Sequence, residues 1–393
     1  MKILHTVESY NPSTGGMQEV VKRISEHLVK MGHSVTVATS RHPGRSRNIA
    51  NGASVVEFDI SGNIVRGISG DSASYQNYLL NSDFDIITNF AAQQWATDLM
   101  LPILQKIRAK KLFVPTGFSA LHLPEYSDYF NRMKEWMNLY DMNVFLSDTY
   151  QDIEFARLHD IKKYVVIPNG ASAEEFLLRG KSNIRQELNI PKNHFLILHV
   201  GSHTGVKGHA EAIEIFRRAK INNITFIITG NVFSERCYYS CKLKEFLFWI
   251  NPLNFLSNKQ LLVRSLSREE TVALYLDSDL FMFPSNIECS PLVLFECMAS
   301  RTPFLTADVG NAREIIEWSG AGLLLPTDKD KKGYSHVKID ESVKMLEGIY
   351  LDPVKRAVMQ DVGFNAWQER FSWGKIAKQY EELYLTLLNR GAF

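Results

Sequence analysis

Leu280-Phe281-Met282-Phe283-Pro284-Ser285-Asn286-Ile287-Glu288-Cys289-Ser290-Pro291-Leu292-Val293-Leu294-Phe295-Glu296-Cys297-Met298-Ala299-Ser300 is the stretch whose reading decides the fold. Leu280–Phe283 is a short, wholly apolar run of the kind that forms a strand buried on both faces. A loop follows and carries Glu288. Pro291 suits the first position of a helix, where its missing N–H goes unneeded, so a helix is predicted over Pro291–Ser300. Downstream, Pro303–Ala307 reads as the next strand. Upstream, Gln260–Arg264 is a strand and Ser267–Leu276 a helix. Further out come a strand at His194–Val200, a helix at His209–Ala219 and a strand at Thr225–Thr229. Strand and helix in regular alternation imply parallel strands joined by right-handed crossovers.

The first half repeats the pattern. Lys2–Val7 is a strand, Gly16–Met31 a helix stopped by Gly32, and Ser34–Thr39 a strand. Further strands are predicted at Ser54–Phe58, Asp85–Thr88, Lys111–Val114, Asn143–Leu146 and Tyr164–Ile167, with helices at Ala91–Ile107 and Thr149–His159 between them. Pro168-Asn169-Gly170 is turn punctuation and marks a link. The expected organisation is an α/β domain over 1–170, a second over 171–370 and an amphipathic helix in 371–393 packing back on the first. Two doubly wound sheets facing each other would enclose a cleft at their carboxyl edges, where such folds bind ligands.

Composition agrees with two cores. The 393 residues are 45% hydrophobic, which excludes a disordered chain. Lys and Arg number 44 against 43 Asp and Glu, and that near-neutrality argues against nucleic acid as a partner. An anionic ligand must therefore be met by local chemistry. The four cysteines, Cys237, Cys241, Cys289 and Cys297, fit no disulfide framework and no CxxC zinc pattern. Cys237 and Cys241 stand one helical turn apart with no second ligand pair nearby in the chain. Met1–Glu8 turns polar too soon for a signal peptide, and no apolar run reaches the ~18–20 residues of a membrane span. The expectation is a soluble cytoplasmic protein, with peripheral contact at the inner face of a membrane left open.

Three loops carry the candidate chemistry. The N–H groups of Ser290, Leu292 and Val293, at the positive end of a helix dipole, would form an anion site suited to a diphosphate. Glu288 precedes that site, and Glu296 lies ~7.5 Å beyond Pro291 along the axis. Carboxylates on both sides of a diphosphate suit a nucleotide sugar, with hexose hydroxyls on one side and ribose on the other. Taken alone, the pair equally fits a solvated loop and a helix surface. In His199-Val200-Gly201-Ser202-His203-Thr204-Gly205-Val206-Lys207-Gly208-His209 a strand ends in Gly201, and Lys207 sits between glycines that let backbone approach a phosphate. Gly15-Gly16 after the first strand suits anion or acceptor contact, but matches neither GxGxxG nor GxxxxGK[ST].

Together these residues resemble the retaining glycosyltransferases of family 4, which have the GT-B fold of two facing Rossmann-like domains. The Glu288…Glu296 pair resembles that family's E-x7-E motif. Ser267-Arg268-Glu269-Glu270, Asp279–Ser285, Ala299–Pro303, Pro168-Asn169-Gly170, Gly15-Gly16 and Phe371-Ser372-Trp373 resemble it too. The resemblance implies that Glu288 sits by the donor sugar, Glu296 holds the ribose, and Lys207 with the amides near Ser290–Val293 stabilises the departing diphosphate. Gly201 and Ser202 would line the donor site, Gly16 would approach the donor phosphate from the other domain, and Gly15, Gly16 and Thr116 would lie on the acceptor side. It implies a nucleotide sugar as donor, a glycan or lipid-linked glycan as acceptor, and neither cofactor nor metal. Asp83-Phe84-Asp85 and Asp277-Ser278-Asp279 imitate a metal-binding DxD motif, yet each leads into the amino end of a strand and reads as structural.

Two departures stand out. Family members usually carry Arg where this chain has Ser202, and a His before Gly where it has Thr116. His203 or Arg264 is expected to replace the missing cation. A nucleotide-sugar epimerase of the same fold, or a catalytically weak sugar-nucleotide-binding partner, are the alternatives. Residues 231–259 break the pattern and look like an insertion between strands. Their aromatics and apolar groups (Phe233, Tyr238, Tyr239, Phe246, Leu247, Phe248, Trp249, Ile250, Phe255) fit either packing or contact with a lipid-linked acceptor or membrane surface.

Overall fold

The computed structural model describes residues 1–45, 49–177 and 183–389, apart from the side chain of Phe255. The chain divides into two compact units, Met1–Asn169 with Trp373–Phe393, and Gly170–Ser372.

The first unit is built on β1 (Lys2–Thr6), β2 (Ser34–Ser40), β3 (Ala53–Phe58), β4 (Ile86–Phe90), β5 (Lys110–Val114), β6 (Met142–Phe145) and β7 (Tyr164–Val166). They lie in the order β7-β6-β5-β4-β1-β2-β3, all parallel, with Ile49–Ala50 added antiparallel at the β3 edge. Every residue of β4 is buried, as a strand covered on both faces requires. Helix α1 (Gly16–Lys30) buries Val20, Val21, Ile24 and Leu28 and ends at Gly32, whose φ of 90° only glycine adopts without strain. Helices α2 (Ser127–Leu139) and α3 (Gln151–Leu158) follow. A closing helix, Trp373–Asn389, is pinned from inside the unit: Tyr384 Oη lies 2.8 Å from Thr88 Oγ1 and 3.2 Å from His5 Nε2.

One expected helix does not form. Ala91–Ile107 becomes a single turn at Trp95–Asp98 and a 3₁₀ segment at Leu101–Lys106. Ala91 and Gln93 have φ of 64° and 62°, and Pro102 lacks the N–H a continuous helix would use.

The second unit contains β8 (Phe195–Val200), β9 (Ile224–Thr229), β10 (Lys259–Arg264), β11 (Leu280–Phe283), β12 (Phe304–Thr306) and β13 (Gly322–Leu324). All pairings are parallel, in the order β10-β9-β8-β11-β12-β13. Counted within the unit this is 3-2-1-4-5-6, the doubly wound order whose direction of winding reverses between the first and fourth strands. Alternate residues feed opposite cores: Leu196, Leu198, Phe281 and Phe283 one face, Ile197, Leu280 and Met282 the other. Helix α4 (His209–Arg218) follows β8, and α6 (Arg268–Asp277) starts at a capping box formed by Ser267 and Glu270.

Residues 231–259 are not an insertion. They hold α5 (Glu235–Trp249) and a short helix at Pro252–Leu256, the crossover that the parallel β9–β10 pairing requires. Nor are their apolar residues mainly core. Cys241 and Phe248 are buried, whereas Phe233, Tyr239, Phe246, Leu247, Trp249 and Ile250 are exposed, Trp249 by 78%.

Candidate functional site

The carboxyl ends of β8 and β11 flank the reversal point of the second sheet, and the loops that leave them carry Lys207 and Glu288. These loops are in close contact. The Asn286 amide donates to the Val206 carbonyl at 3.0 Å, and Ser285 Oγ lies 3.3 Å from the same oxygen. Gly208 makes the approach feasible: its φ is 70°, and a Cβ there would lie 1.9 Å from the Pro284 carbonyl oxygen.

Glu288 is held from two sides. Lys207 Nζ donates to its Oε1 at 2.6 Å, and Ser285 Oγ donates to the same oxygen at 2.8 Å. The second oxygen, Oε2, faces no such donor in the described residues. Two groups expected to act on different parts of one ligand, its diphosphate and its sugar, are thus bonded to each other across 81 residues of sequence.

Helix α7 spans Leu292–Ala299, with Pro291 as its cap rather than its first residue. The expected amides of Leu292 and Val293 therefore open the helix, where N–H groups have no intrahelical acceptor. Ser290 lies two residues before the helix, and the Asn311 amide holds the loop through the Cys289 carbonyl at 2.9 Å. Glu296 is nearly buried on the same helix and pairs with Arg268 Nη2 at 2.5 Å. Arg268 also reaches Glu175 at 2.7 Å. Arg268 opens α6, and its sequence signal was limited to the short polar run beginning at Ser267.

Neither expected substitute for the missing cation stands unpaired. His203 is fully buried with its ring stacked on His209 at 4.4 Å, and desolvation lowers its pKa. Arg264 ends β10 and donates to Glu245 of α5 at 2.5 Å and to the Val263 carbonyl at 2.9 Å. Gly201 and Ser202 follow β8 directly. The two DxD look-alikes sit at strand entrances. Asp83 pairs with Lys2, Asp85 accepts from the Lys2 amide, and Asp277 and Asp279 pair with Arg185.

In the first unit, Gly15 caps α1 in an extended conformation and Gly16 is the first helical residue. Thr116 leaves β5 at a φ of 59°, followed by Gly117 and Phe118 at 106° and 49°. A β-branched residue in the left-handed region is strained, and such strain persists where neighbours enforce it. Here α3 does so. The Asp152 carboxylate accepts from the Gly117 amide at 2.9 Å, while Gln151 Nε2 donates to the Gly117 and Phe118 carbonyls. Burial pushes the Asp152 carboxyl up to about 6. Sequence reading missed both residues, since only the folded loop brings them to Thr116.

Comparison with known proteins bears on the family and the fold. Residues 14–175 match the profile of Glycosyltransferase Family 4, and residues 180–337 that of Glycosyl transferases group 1. An uncharacterized glycosyltransferase of Methanocaldococcus jannaschii is 24% identical over 98% of both chains. Sucrose-phosphate synthase from Thermosynechococcus elongatus superposes with a TM-score of 0.78 at 17% identity, covering 99% of both chains. HepE of Anabaena, in complex with UDP-glucose, superposes with a TM-score of 0.72 at 18% identity, over 98% of this chain and 100% of its own. Such solved neighbours establish the GT-B fold.

Proposed function

With a family 4 glycosyltransferase domain in its first half and a group 1 domain in its second, the chain is a glycosyltransferase of the GT-B fold, and from that premise we propose that it moves a hexose-type sugar, with retention, from a nucleotide-diphosphate sugar to a glycan or lipid-linked glycan. The observation that carries this reading is the Lys207–Glu288 pair, formed between the two loops that leave the reversal point of the second sheet, one of which leads into α7.

As the bond between anomeric carbon and phosphate oxygen breaks, its electron pair leaves with the diphosphate. Lys207 and the Leu292 and Val293 amides meet the growing negative charge, favouring the transition state over the ground state. Lys207 is paired with Glu288 before a donor arrives. An incoming diphosphate would compete for the ammonium, and the carboxylate released from it would accept from a sugar hydroxyl. Ser285 keeps Glu288 in place through that exchange. Glu296, oriented by Arg268, would receive the ribose hydroxyls. Gly15, Gly16 and Thr116 belong to the acceptor side. No metal or cofactor takes part in this scheme. The acceptor oxygen forms the new bond on the face the diphosphate leaves, and its proton passes to the departing diphosphate oxygen.

The lipid-linked acceptor draws support from α5 and the turn after it. Exposed Trp249, Leu253 and Leu256, with Tyr239 and the basic Arg236 and Lys244 nearby in the chain, suit the interface of an anionic membrane. Because α5 is a crossover, deletion would break the sheet. The test is Trp249→Ser with Leu253→Ser in co-sedimentation with anionic vesicles, which should reduce the bound fraction several-fold. Equal sedimentation would remove this support.

The reaction is tested by incubation with UDP, GDP and ADP sugars. Acceptor-dependent release of nucleoside diphosphate, with the donor's anomeric configuration kept in the product, is the expected result. Inversion within the sugar without release would instead identify an epimerase, and binding without turnover a partner subunit.

A further inference from the structure

Away from the Lys207–Glu288 pair, the second unit gathers two cysteines and two histidines that this transfer scheme leaves unused. Cys237 and Cys241 lie one turn apart on α5. His203 and His209 come from the loop after β8 and the start of α4. Cys237 Sγ lies 3.7 Å from His203 Nδ1 and 3.9 Å from His209 Nδ1. The donor atoms of His203, Cys237 and Cys241 all fall within 4.8 Å of one another. For a tetrahedral zinc ion, bonds of ~2.3 Å to sulfur and ~2.05 Å to nitrogen set the sulfur–nitrogen edge at ~3.6 Å.

We propose that His203, Cys237 and Cys241 form a site for a thiophilic divalent cation of the zinc class, its fourth position filled by water or by a small shift of His209.

Its surroundings suit that role. His209 Nε2 lies 3.1 Å from the Gly201 carbonyl oxygen, which can only accept, so the proton sits on Nε2 and the Nδ1 lone pair points toward Cys237. Among the described residues His203 Nε2 has no partner, and its Nδ1 faces the same sulfur. The loop itself is fastened: the His203 amide donates to the Asn231 carbonyl at 2.8 Å, and the Ser234 amide donates to the His203 carbonyl at 2.6 Å. A cavity of about 380 Å³ reaches Cys237, Cys241 and His209, giving an ion a path in. Binding displaces the two thiol protons to solvent as two sulfur–metal bonds form. The ion would clamp α5 to the glycine-rich loop that carries Lys207, acting as a structural tie and not as a participant in sugar transfer.

The test uses the full-length reduced protein, stripped with a chelator and then equilibrated with zinc. Elemental analysis should find one zinc per chain, and cobalt in its place should give the intense visible bands of a tetrahedral thiolate complex. The Cys237→Ser, Cys241→Ser double variant should lose the ion, and His203→Ala should weaken binding by about tenfold or more. Absence of bound zinc in the wild-type protein, or pale octahedral cobalt, would overturn the proposal even if the variants failed to fold. Undiminished stoichiometry in a folded double variant would do the same. Metal content and spectrum are read without any sugar donor, so this result and that of the transfer assay stand apart.

Discussion

Replacing Gly208 with alanine separates two effects that a glycine can hide. At Gly208 the backbone is left-handed, and a Cβ would stand 1.9 Å from the Pro284 oxygen, 2.4 Å from its carbonyl carbon and 3.0 Å from the Ser285 nitrogen. At Gly205, in the same loop, φ is 92° and nothing among the described residues lies within 4 Å of such an atom. Gly205→Ala should therefore cost only the left-handed conformation, roughly 1–2 kcal/mol. Gly208→Ala adds a clash against backbone that has no rotamer to yield, about 2 kcal/mol more on the scale of overpacked cores. For a unit of this size that difference is about 4–8 °C in Tm. Function should separate the two variants further. Relieving the clash pushes apart the loops that carry Lys207 and Glu288, and a misplacement of ~1 Å can cost ~100-fold in rate. Thermal unfolding and nucleoside diphosphate release would be measured for both variants. Equal losses of Tm, or wild-type turnover in Gly208→Ala, would refute the idea that close contact between the loops builds the site.

Three further outcomes are expected. Arg268→Gln leaves the Glu296 carboxylate without its ion-pair partner; because the guanidinium is partly open to solvent, the loss should be about 1–2 kcal/mol, with a larger rise in KM for the donor than fall in kcat. His5 is buried among Ser25, Tyr384 and Phe90, and desolvation holds its pKa down to about 3. Its contribution to stability is complete above its unfolded pKa near 6.5 and is lost as pH falls toward 3, about 2 kcal/mol by pH 5, so His5→Gln should flatten denaturation curves over that window. Asp152 shifts the opposite way. Its raised pKa favours the fold at low pH and that advantage is lost as pH rises through about 6, so Asp152→Asn should abolish the dependence between pH 4 and 6 while keeping the contact to Gly117 from its amide oxygen.

Much of the architecture was legible because parallel strands buried on both faces are continuous apolar runs. Leu280–Phe283 and Ile224–Thr229 are such runs, and both form as expected. Periodicity failed where another constraint ruled. The apolar residues of α5 surround the helix instead of lining one side, so the crossover looked like an insertion. Between Ala91 and Ile107 the positive φ angles and Pro102 overrode the helical spacing. For the site, the sequence reading put Lys207, Glu288 and Glu296 around one donor but did not foresee the direct Lys207–Glu288 pair. That contact was not visible, because strand order decides it: β8 and β11 are neighbours in the sheet though 79 residues separate the start of the Val206–Ser285 contact from its end. The His203–His209–Cys237–Cys241 cluster escaped for the same reason, being assembled by the β8–β9–α5 crossover.

Calorimetric titration of UDP, GDP and ADP into the wild-type protein and into Lys207→Ala tests the central claim most directly. One of the three should bind at one per chain. Losing a charge-assisted hydrogen bond of about 1.5–3 kcal/mol should weaken it by about 10–100-fold in the variant. Equal affinity in both proteins, or no binding by any of the three, would contradict a diphosphate site at the meeting of these loops.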